Sequence, residues 1–390
     1  MRIDREQVES LAKYQNTNNP VVSVYLNVTP PRNVSSELNS MIHTTLKTVE
    51  EDARYTEEQV KGLKKVMDQI EDYIQKAYKR TSGARLVALF ADAEGLWEEY
   101  PLPVALPDSM GVDVDPYTRP LTMLLDEFDR YCVVVADSRK ARIFSMYLGE
   151  IEESPDVFLE DNVPDGVRVK QSMTAGGGGT VQGGLGDKRI ERHIQDHVHR
   201  HLKHVADRTL DFFKRKRFTR LILGGPEDKT LPQLKDHLHS YLKNRLAAQF
   251  TAHPDNPLSE IKEKALSAAQ SWEREREQAL ISEIAEHSGP NDKGRLGLEP
   301  VIEALNLGQV QTLVIENDFK AQGYICPNDH ILSTYLTECP ACEAQMHYTE
   351  YLADEMVEEA LHQNAEIEHV FAPNETLAPY GVGARLRFTL

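Results

Sequence analysis

The chain has 390 residues, 40% of them hydrophobic and 27% charged. At roughly 100–200 residues per domain this predicts two to four domains, each able to bury its own core, and excludes a mini-protein. Forty-four Lys and Arg against 62 Asp and Glu give a formal net charge of −18, which argues against wrapping a polyanion over the whole surface.

The start, MRIDREQVES, reads as a polar helix. It has neither the basic nor the apolar region of a signal peptide, and the chain holds no run of 18 apolar residues, so a cytoplasmic protein with no membrane partner is expected. VVSVYLNV, Val21 to Val28, alternates β-branched residues and predicts a strand. A helical pair follows. Thr56 and Gln59 form a capping-box pattern, and Val60, Leu63, Met67, Ile70 and Ile74 recur at helical spacing, which predicts an amphipathic helix over 57–78. LVALF at 86–90 is a second apolar strand, and an α/β domain over 1–125 accounts for this stretch.

YCVVVADSRKARIFSMYLG predicts two strands joined by a polar turn at Asp137–Lys140. An acidic stretch and the glycine-rich loop TAGGGGTVQGGLG precede a helix from about Lys188 to Lys216. RLILGGP is a buried strand, LPQLKDHLHSYLKNRL another helix, and Leu258 to about His287 one long charged helix with a thin apolar stripe, suited to joining domains. This middle domain, 126–287, implies a partly parallel sheet with helices against it. SGPNDKG at 288–294 is a breaker-rich linker. The last domain, 288–390, carries a helix in LEPVIEALNLG, a strand in QTLVI, a cysteine-bearing insertion, a helix in MVEEALHQNA, a strand in EIEHVFA and a closing GVGARLRF. The fold class is therefore α/β multidomain, with three α/β domains, the third a small sandwich.

Charge is segregated. From Gly166 to Arg220 there are thirteen Lys and Arg against five Asp and Glu, a net of +8, so the remaining residues carry −26. A basic locus on an acidic chain directs a polyanion to one place; the alternative is a merely solvated helix face. The candidate RNA-binding set is Gly176, Gly177, Gly178, Gly179, Gln182, Gly183 and Gly184 of the loop with Lys188, Arg189, Arg192, His193, His197, Arg200, Lys214, Arg215 and Arg217 of the helix. Without Cβ atoms the loop can approach a ligand backbone closely, and it matches neither the Walker A nor the dinucleotide fingerprint. Ile190, Ile194, Val198, Leu202, Val205 and Phe213 form the helix's core stripe, and His193, His197, His201 and His204 run beside it. Histidines at i and i+4 can share a metal, but no third ligand is evident, so the stripe reads as a hydrogen-bonding surface and no catalytic residue is assigned.

Cys132 lies in an apolar strand, whereas Cys326, Cys339 and Cys342 cluster within seventeen residues. Cys339-Pro-Ala-Cys342 is a C-x-x-C knuckle, and Cys326-Pro-Asn-Asp329-His330 offers one thiol with His330 as the expected fourth ligand and Asp329 as the alternative. One structural zinc on Cys326, His330, Cys339 and Cys342 is expected, against a relic ribbon that folds without metal.

In order and spacing, VVSVYLNV, YCVVVADSRKARIFSMYLG and GRLGLEPVIEALNLGQVQTLVI together resemble the eukaryotic and archaeal class I release factor and Pelota superfamily over nearly the whole chain. Middle domains of that family place a Gly-Gly-Gln tip before a basic helix, and their third domains carry a zinc-ribbon insertion. Here Gly183-Gly184-Leu185 stands where Gly-Gly-Gln is expected, with the loop's single glutamine at Gln182. Leucine lacks the hydrogen-bonding group that the family's glutamine uses to order water attack on peptidyl-tRNA. The stop-codon motif Asn-Ile-Lys-Ser is also absent, and the corresponding turn reads EEDARYTEE. A bacterial branch of hibernation factors within the superfamily shows the same losses. The resemblance implies a non-enzymatic, monomeric regulator of translation under stress. It would bind rRNA of both subunits in the ribosomal A site, the first domain toward the decoding centre, the middle one toward the peptidyl-transferase centre, and the third toward EF-Tu or a related translational GTPase. DNA is not an expected partner. The alternative is a release or rescue factor that hydrolyses peptidyl-tRNA through Gln182.

Overall fold

The computed structural model describes the chain except residues 1, 2, 4, 17, 32, 53, 79–82, 128, 129, 155–158, 161–183, 228, 229, 290 and 390, and except the side chains of 77, 159, 160 and 184–194. The fold is mixed α/β and multidomain. It divides into two compact units, one built from Met1–Phe128 and Arg274–Leu390, the other from Asp129–Glu273.

The first segment of the two-part unit runs α1 (Arg5–Ala12), β1 (Val21–Asn27), α2 (Val34–Glu51), α3 (Glu57–Asp72), β2 (Leu86–Ala91), β3 (Trp97–Leu102), β4 (Ser109–Asp113) and α4 (Arg119–Glu127). Its strands form one antiparallel sheet in the order β3-β2-β1-β4. Thr56 and Gln59 close the expected capping box, their side chains satisfying each other's backbone N–H groups at the start of α3. Leu63, Met67 and Ile70 are buried against Val22, Val24 and Leu26 of β1. The helix is shorter than its periodicity predicts: regular geometry ends at Asp72, and Tyr73–Ala77 form a wider π turn.

The continuous unit runs β5 (Tyr131–Ala136), β6 (Lys140–Tyr147), β7 (Glu150–Glu153), β8 (Leu159–Glu160), α5 (Gly184–Lys216), β9 (Arg220–Gly225), α6 (Thr230–His237), α7 (Ser240–Lys243), β10 (Leu246–Thr251) and α8 (Leu258–Glu286), the last continuing beyond it. The sheet order is β10-β9-β5-β6-β7, with β8 also on β6, and β5, β9 and β10 are parallel. Every residue of β5 is buried because both faces are covered. Cys132, Val134 and Ala136 pack with Leu202, Val205 and Phe213 of α5, while Tyr131, Val133 and Val135 pack with Ile261, Ala265 and Ala269 of α8. This alternation defines a three-layer α/β/α arrangement. LPQLKDHLHSYLKNRL is not one helix. It breaks after His237, where His239 Nδ1 accepts the N–H of Tyr241 to start α7, and Leu246 already belongs to the strand β10.

The chain then adds β11 (Gly294–Leu296), α9 (Leu298–Asn306), β12 (Val310–Glu316), β13 (Gly323–Ile325), β14 (Leu332–Ser333), β15 (His347–Thr349), α10 (Leu352–His362), β16 (Glu366–Val370) and β17 (Val382–Leu386). A sheet β11-β17-β12-β16 is covered by α9 and α10 on one face, while Val314 and Val370 on the other meet Ile281 and Ile284 of α8. The insertion forms its own small sheet, β14-β13-β15.

The two segments of this unit are joined by polar groups. Arg119, 7% exposed, donates to the Asp354 carboxylate and, at 3.2 Å each, to the carbonyls of Asn317 and Phe319. The backbone N–H of His369 reaches Asp126 Oδ2 at 2.5 Å, and Arg274 spans both oxygens of Glu127 at 2.7 Å. Arg119→Met should therefore destabilise this unit by about 3–5 kcal/mol, since it strands a buried carboxylate and two carbonyls, and denaturant unfolding measures it.

At the same seam Asp113 and Asp115 meet Glu355 and Glu358 of α10. Burial, then the charge of Asp113, pushes the Asp115 carboxyl up to about 7. Burial, then the charge of Asp115, lifts Glu355 and Glu358 well above the usual carboxylate range. Folding thus favours the protonated acids, so their contribution is intact below the unfolded carboxylate range and is lost as pH rises through about 7. Thermal unfolding should show a higher midpoint at pH 5.5 than at pH 8, and Asp115→Asn should shrink the difference.

Candidate nucleic-acid interface and metal centre

The basic locus is the exposed side of α5. Leu202, Val205, Phe212 and Phe213 are buried and fix which face turns outward, leaving Arg200, Lys203, His204, Arg208, Lys214 and Arg215 exposed. Arg200 Nη2 lies 3.4 Å from His197 Nδ1, and Arg215 stands over the Phe212 ring at 5.7 Å. The helix ends in a left-handed residue: Phe218 N–H reaches the Phe213 carbonyl at 3.2 Å around Arg217, whose φ is 53°. Glycine normally takes that position, so an arginine there costs about 1–2 kcal/mol. Among the expected RNA contacts, His197, Arg200, Lys214, Arg215 and Arg217 are on this surface. Gly184, Lys188, Arg189, Arg192 and His193 lie on the helix backbone without described side chains, and Gly176–Gly179, Gln182 and Gly183 lie outside the described residues. The histidine stripe does not stay on one surface: His201 is 2% exposed and turned inward, while His204 is exposed.

Sequence reasoning missed Lys203 and Arg208, although both were readable as continuations of the same face one and two turns beyond Arg200. It also missed His199, which meets His237 of α6 edge to face with ring centroids 4.4 Å apart. The acidic turn between α2 and α3 is closed on itself, with Asp52 accepting the backbone and side-chain N–H groups of Arg54 at 2.9 Å each.

The cysteine cluster is assembled by two matching turns. In the first, Cys326 N–H reaches the Ile331 carbonyl and His330 N–H returns to the Cys326 carbonyl; in the second, Cys339 N–H reaches Ala344 and Glu343 N–H returns to Cys339. His330 and Glu343, the equivalent residues, both have left-handed φ, 55° and 59°. The equivalence sets Asp329 opposite Cys342. Cys326, Asp329, Cys339 and Cys342 present ligand atoms all within 4.8 Å of one another. Sγ of Cys326 and Cys342 are 3.5 Å apart, and Asp329 Oδ2 is 3.5 Å from Cys339 Sγ and 3.9 Å from Cys326 Sγ. A tetrahedral ion about 2.3 Å from sulfur and about 2.1 Å from oxygen requires ligand edges of roughly 3.5–3.8 Å, so three thiols and one carboxylate could hold a metal. Burial opposes ionisation of Cys326, but N–H groups from Asp329 and Asn328 and the neighbouring thiols bring its pKa below the ordinary thiol range.

His330 is not in this set. Its backbone turns the ring away, to Gln15 Nε2 at 3.5 Å and to the His362 ring at 5.9 Å, so that Asp329, the alternative, and not His330 stands with the three thiols. Cys132 is fully buried and its thiol is pushed far up by burial, as suits an inert core residue.

Residues 116–270 match the model of bacterial archaeo-eukaryotic release factor family 10. Peptide chain release factor subunit 1 of Thermococcus onnurineus (strain NA1) is 24% identical over 426 residues, covering 99% of this chain and 97% of the relative. Among solved structures, the archaeal translation termination factor aRF1 aligns over 99% of each chain at 16% identity and TM-score 0.26. Ribosome-bound archaeal Pelota with ABCE1 gives 16% identity, 66% and 62% coverage and TM-score 0.39. The chain is thus similar in sequence to archaeal peptide chain release factors. The family-model match lies largely on the continuous unit that carries α5, and the similarity to the archaeal release factor extends along nearly the whole chain.

Cobalt(II) titration of metal-free protein should give intense thiolate-to-metal charge-transfer bands. Cys339→Ser should abolish them, Asp329→Ala should alter them, and His330→Ala should leave them unchanged. The reverse pattern for the last two variants would restore the histidine as ligand.

Proposed function

We propose that this protein binds the ribosome and occupies its A site as a hibernation factor, without reading codons or hydrolysing peptidyl-tRNA. The observation that carries the reading is the exposed row of Arg200, Lys203, Arg208, Lys214, Arg215 and Arg217 in a chain of net charge −18. Phosphate contacts from one helix dock a protein in one orientation, while acidic surface elsewhere repels RNA. Similarity to a release factor along nearly the whole chain supports the choice of partner, and the sequence resembles the bacterial hibernation factor Balon in lacking the Gly-Gly-Gln and stop-codon motifs. The sequence Gly183-Gly184-Leu185 removes the amide that positions water. A translational GTPase, EF-Tu in a bacterial cytoplasm, is the proposed delivery partner. Zinc on Cys326, Asp329, Cys339 and Cys342 is proposed to stiffen the insertion without chemistry, because four protein ligands leave no open position for water.

The full-length similarity to release factors favours one second reading, hydrolysis through Gln182. Two assays on one preparation separate them. The protein should co-sediment with vacant ribosomes, and alanine at Arg189, Arg192, Arg200, Lys214, Arg215 and Arg217 should lower the salt slope by about 0.7–0.9 per lost contact. Ribosomes bearing peptidyl-tRNA should release no peptide above background. Release that disappears with Gln182→Ala would establish the hydrolytic reading instead.

A further inference from the structure

The surface where α5, α6 and α7 meet gathers four cationic or protonatable side chains. α5 brings His199 and Lys203 to one side, a turn apart. α6 ends at His237, and the His199 and His237 rings cross at 80° with centroids 4.4 Å apart. From α7, Lys243 Nζ donates to the Asp236 carbonyl at 3.1 Å, which anchors its ammonium at the C-terminal end of α6. His199, Lys203 and Lys243 are exposed and His237 is half-buried, so the cluster is open to a ligand.

We propose that His199, Lys203, His237 and Lys243 form a seat for a backbone phosphate of RNA. The partner class rests on the ribosome-binding function proposed above; the chemistry rests on the cluster itself. Burial, then the facing His199 ring, holds His237 below its ordinary pKa, and the ammonium groups of Lys203 and Lys243 add to this; the carboxylate of Asp236 is the one opposing charge. The groups facing His237 are thus two from α5, its neighbour on α6 and one from α7, and most of them repel a proton on its ring. An oxyanion reverses that balance. It accepts N–H bonds from ammonium and imidazole together, which favours protonation of the rings, so phosphate binding takes up protons and strengthens as pH falls.

A cation would meet the opposite field. Two imidazoles on adjacent helices can hold a transition metal, but two ammonium groups flank these. Among the described residues no third ligand joins them, the single metal-competent group being the cysteine cluster. The positive surface continues past the seat, with Arg245 3.8 Å above the Tyr241 ring and Lys214 Nζ 5.7 Å from it.

The test is NMR of the imidazole signals of the full chain, titrated with a uridine hexanucleotide and, separately, with Zn²⁺. RNA should shift the His199 and His237 resonances together and raise the titration midpoint of His237. Affinity should be several-fold higher at pH 6 than at pH 7.5. The double variant Lys203→Ala/Lys243→Ala changes only exposed residues and should weaken hexanucleotide binding about tenfold, the loss expected for charge-assisted bonds. It should also weaken ribosome co-sedimentation. Imidazole signals that ignore RNA, or that respond to Zn²⁺ alone, would overturn the seat. Unchanged ribosome affinity of the double variant would overturn it while leaving the A-site role standing. A wild-type chain that binds the hexanucleotide here and no ribosome would retain the seat and remove the A-site role.

Discussion

The burial of one guanidinium makes a single unit from the two ends of this chain. Arg119 begins α4, 235 positions before its carboxylate partner Asp354 on α10, and it also holds the carbonyls that follow β12. An ion pair this deep adds little net stability over apolar side chains of the same size. What it adds is selectivity, because any other pairing of the two segments leaves a charge buried without its partner. The continuous unit, Asp129–Glu273, is consequently an insertion between two segments that close on each other, with two apolar clusters of its own, one on each face of its sheet.

Electrostatics follows the same division. The acidic excess of the chain is partly drawn inward at the seam, where burial raises the pKa of Asp113, Asp115, Glu355 and Glu358 and the charge of Asp113 adds to it at the other three, so that keeping protons tempers their repulsion. The positive charge of the continuous unit stays outside, on α5 and the turns beside it. A net charge of −18 therefore describes neither part, and the segment from Gly166 to Arg220, at +8, is the informative quantity.

The elements legible from sequence are those whose apolar pattern decides their structure alone. VVSVYLNV and YCVVVA are buried on both faces and β-branched; the Thr56–Gln59 box specifies the start of α3 through local hydrogen bonds. β10 was hidden because LAAQFT is half-exposed at the sheet edge and follows a helical pattern without a strong breaker. β13, β14 and β15 are too short for any periodicity and exist because the two cysteine turns bring them together. For a related reason spacing left Asp329 and His330 both open as the fourth ligand: only the backbone, left-handed at His330 as at Glu343, decides which side chain faces the sulfurs. The link between Arg119 and Asp354 had no local signature at all.

Binding and chemistry in such a protein are separable for a physical reason. Docking on RNA draws on many phosphate contacts, each contributing modestly and each replaceable, so it persists while a helix keeps its exposed Arg and Lys. Water activation draws on one amide held at one place, and a single substitution removes it. At the end of α5 a cation, Arg217 at φ 53°, stands where glycine would be easier, which suits the proposed phosphate contacts. The leucine after Gly183-Gly184 carries no such amide. In the proposed A-site role such a chain fills the place of a decoding factor without chemistry, and its phosphate contacts are all that the role requires.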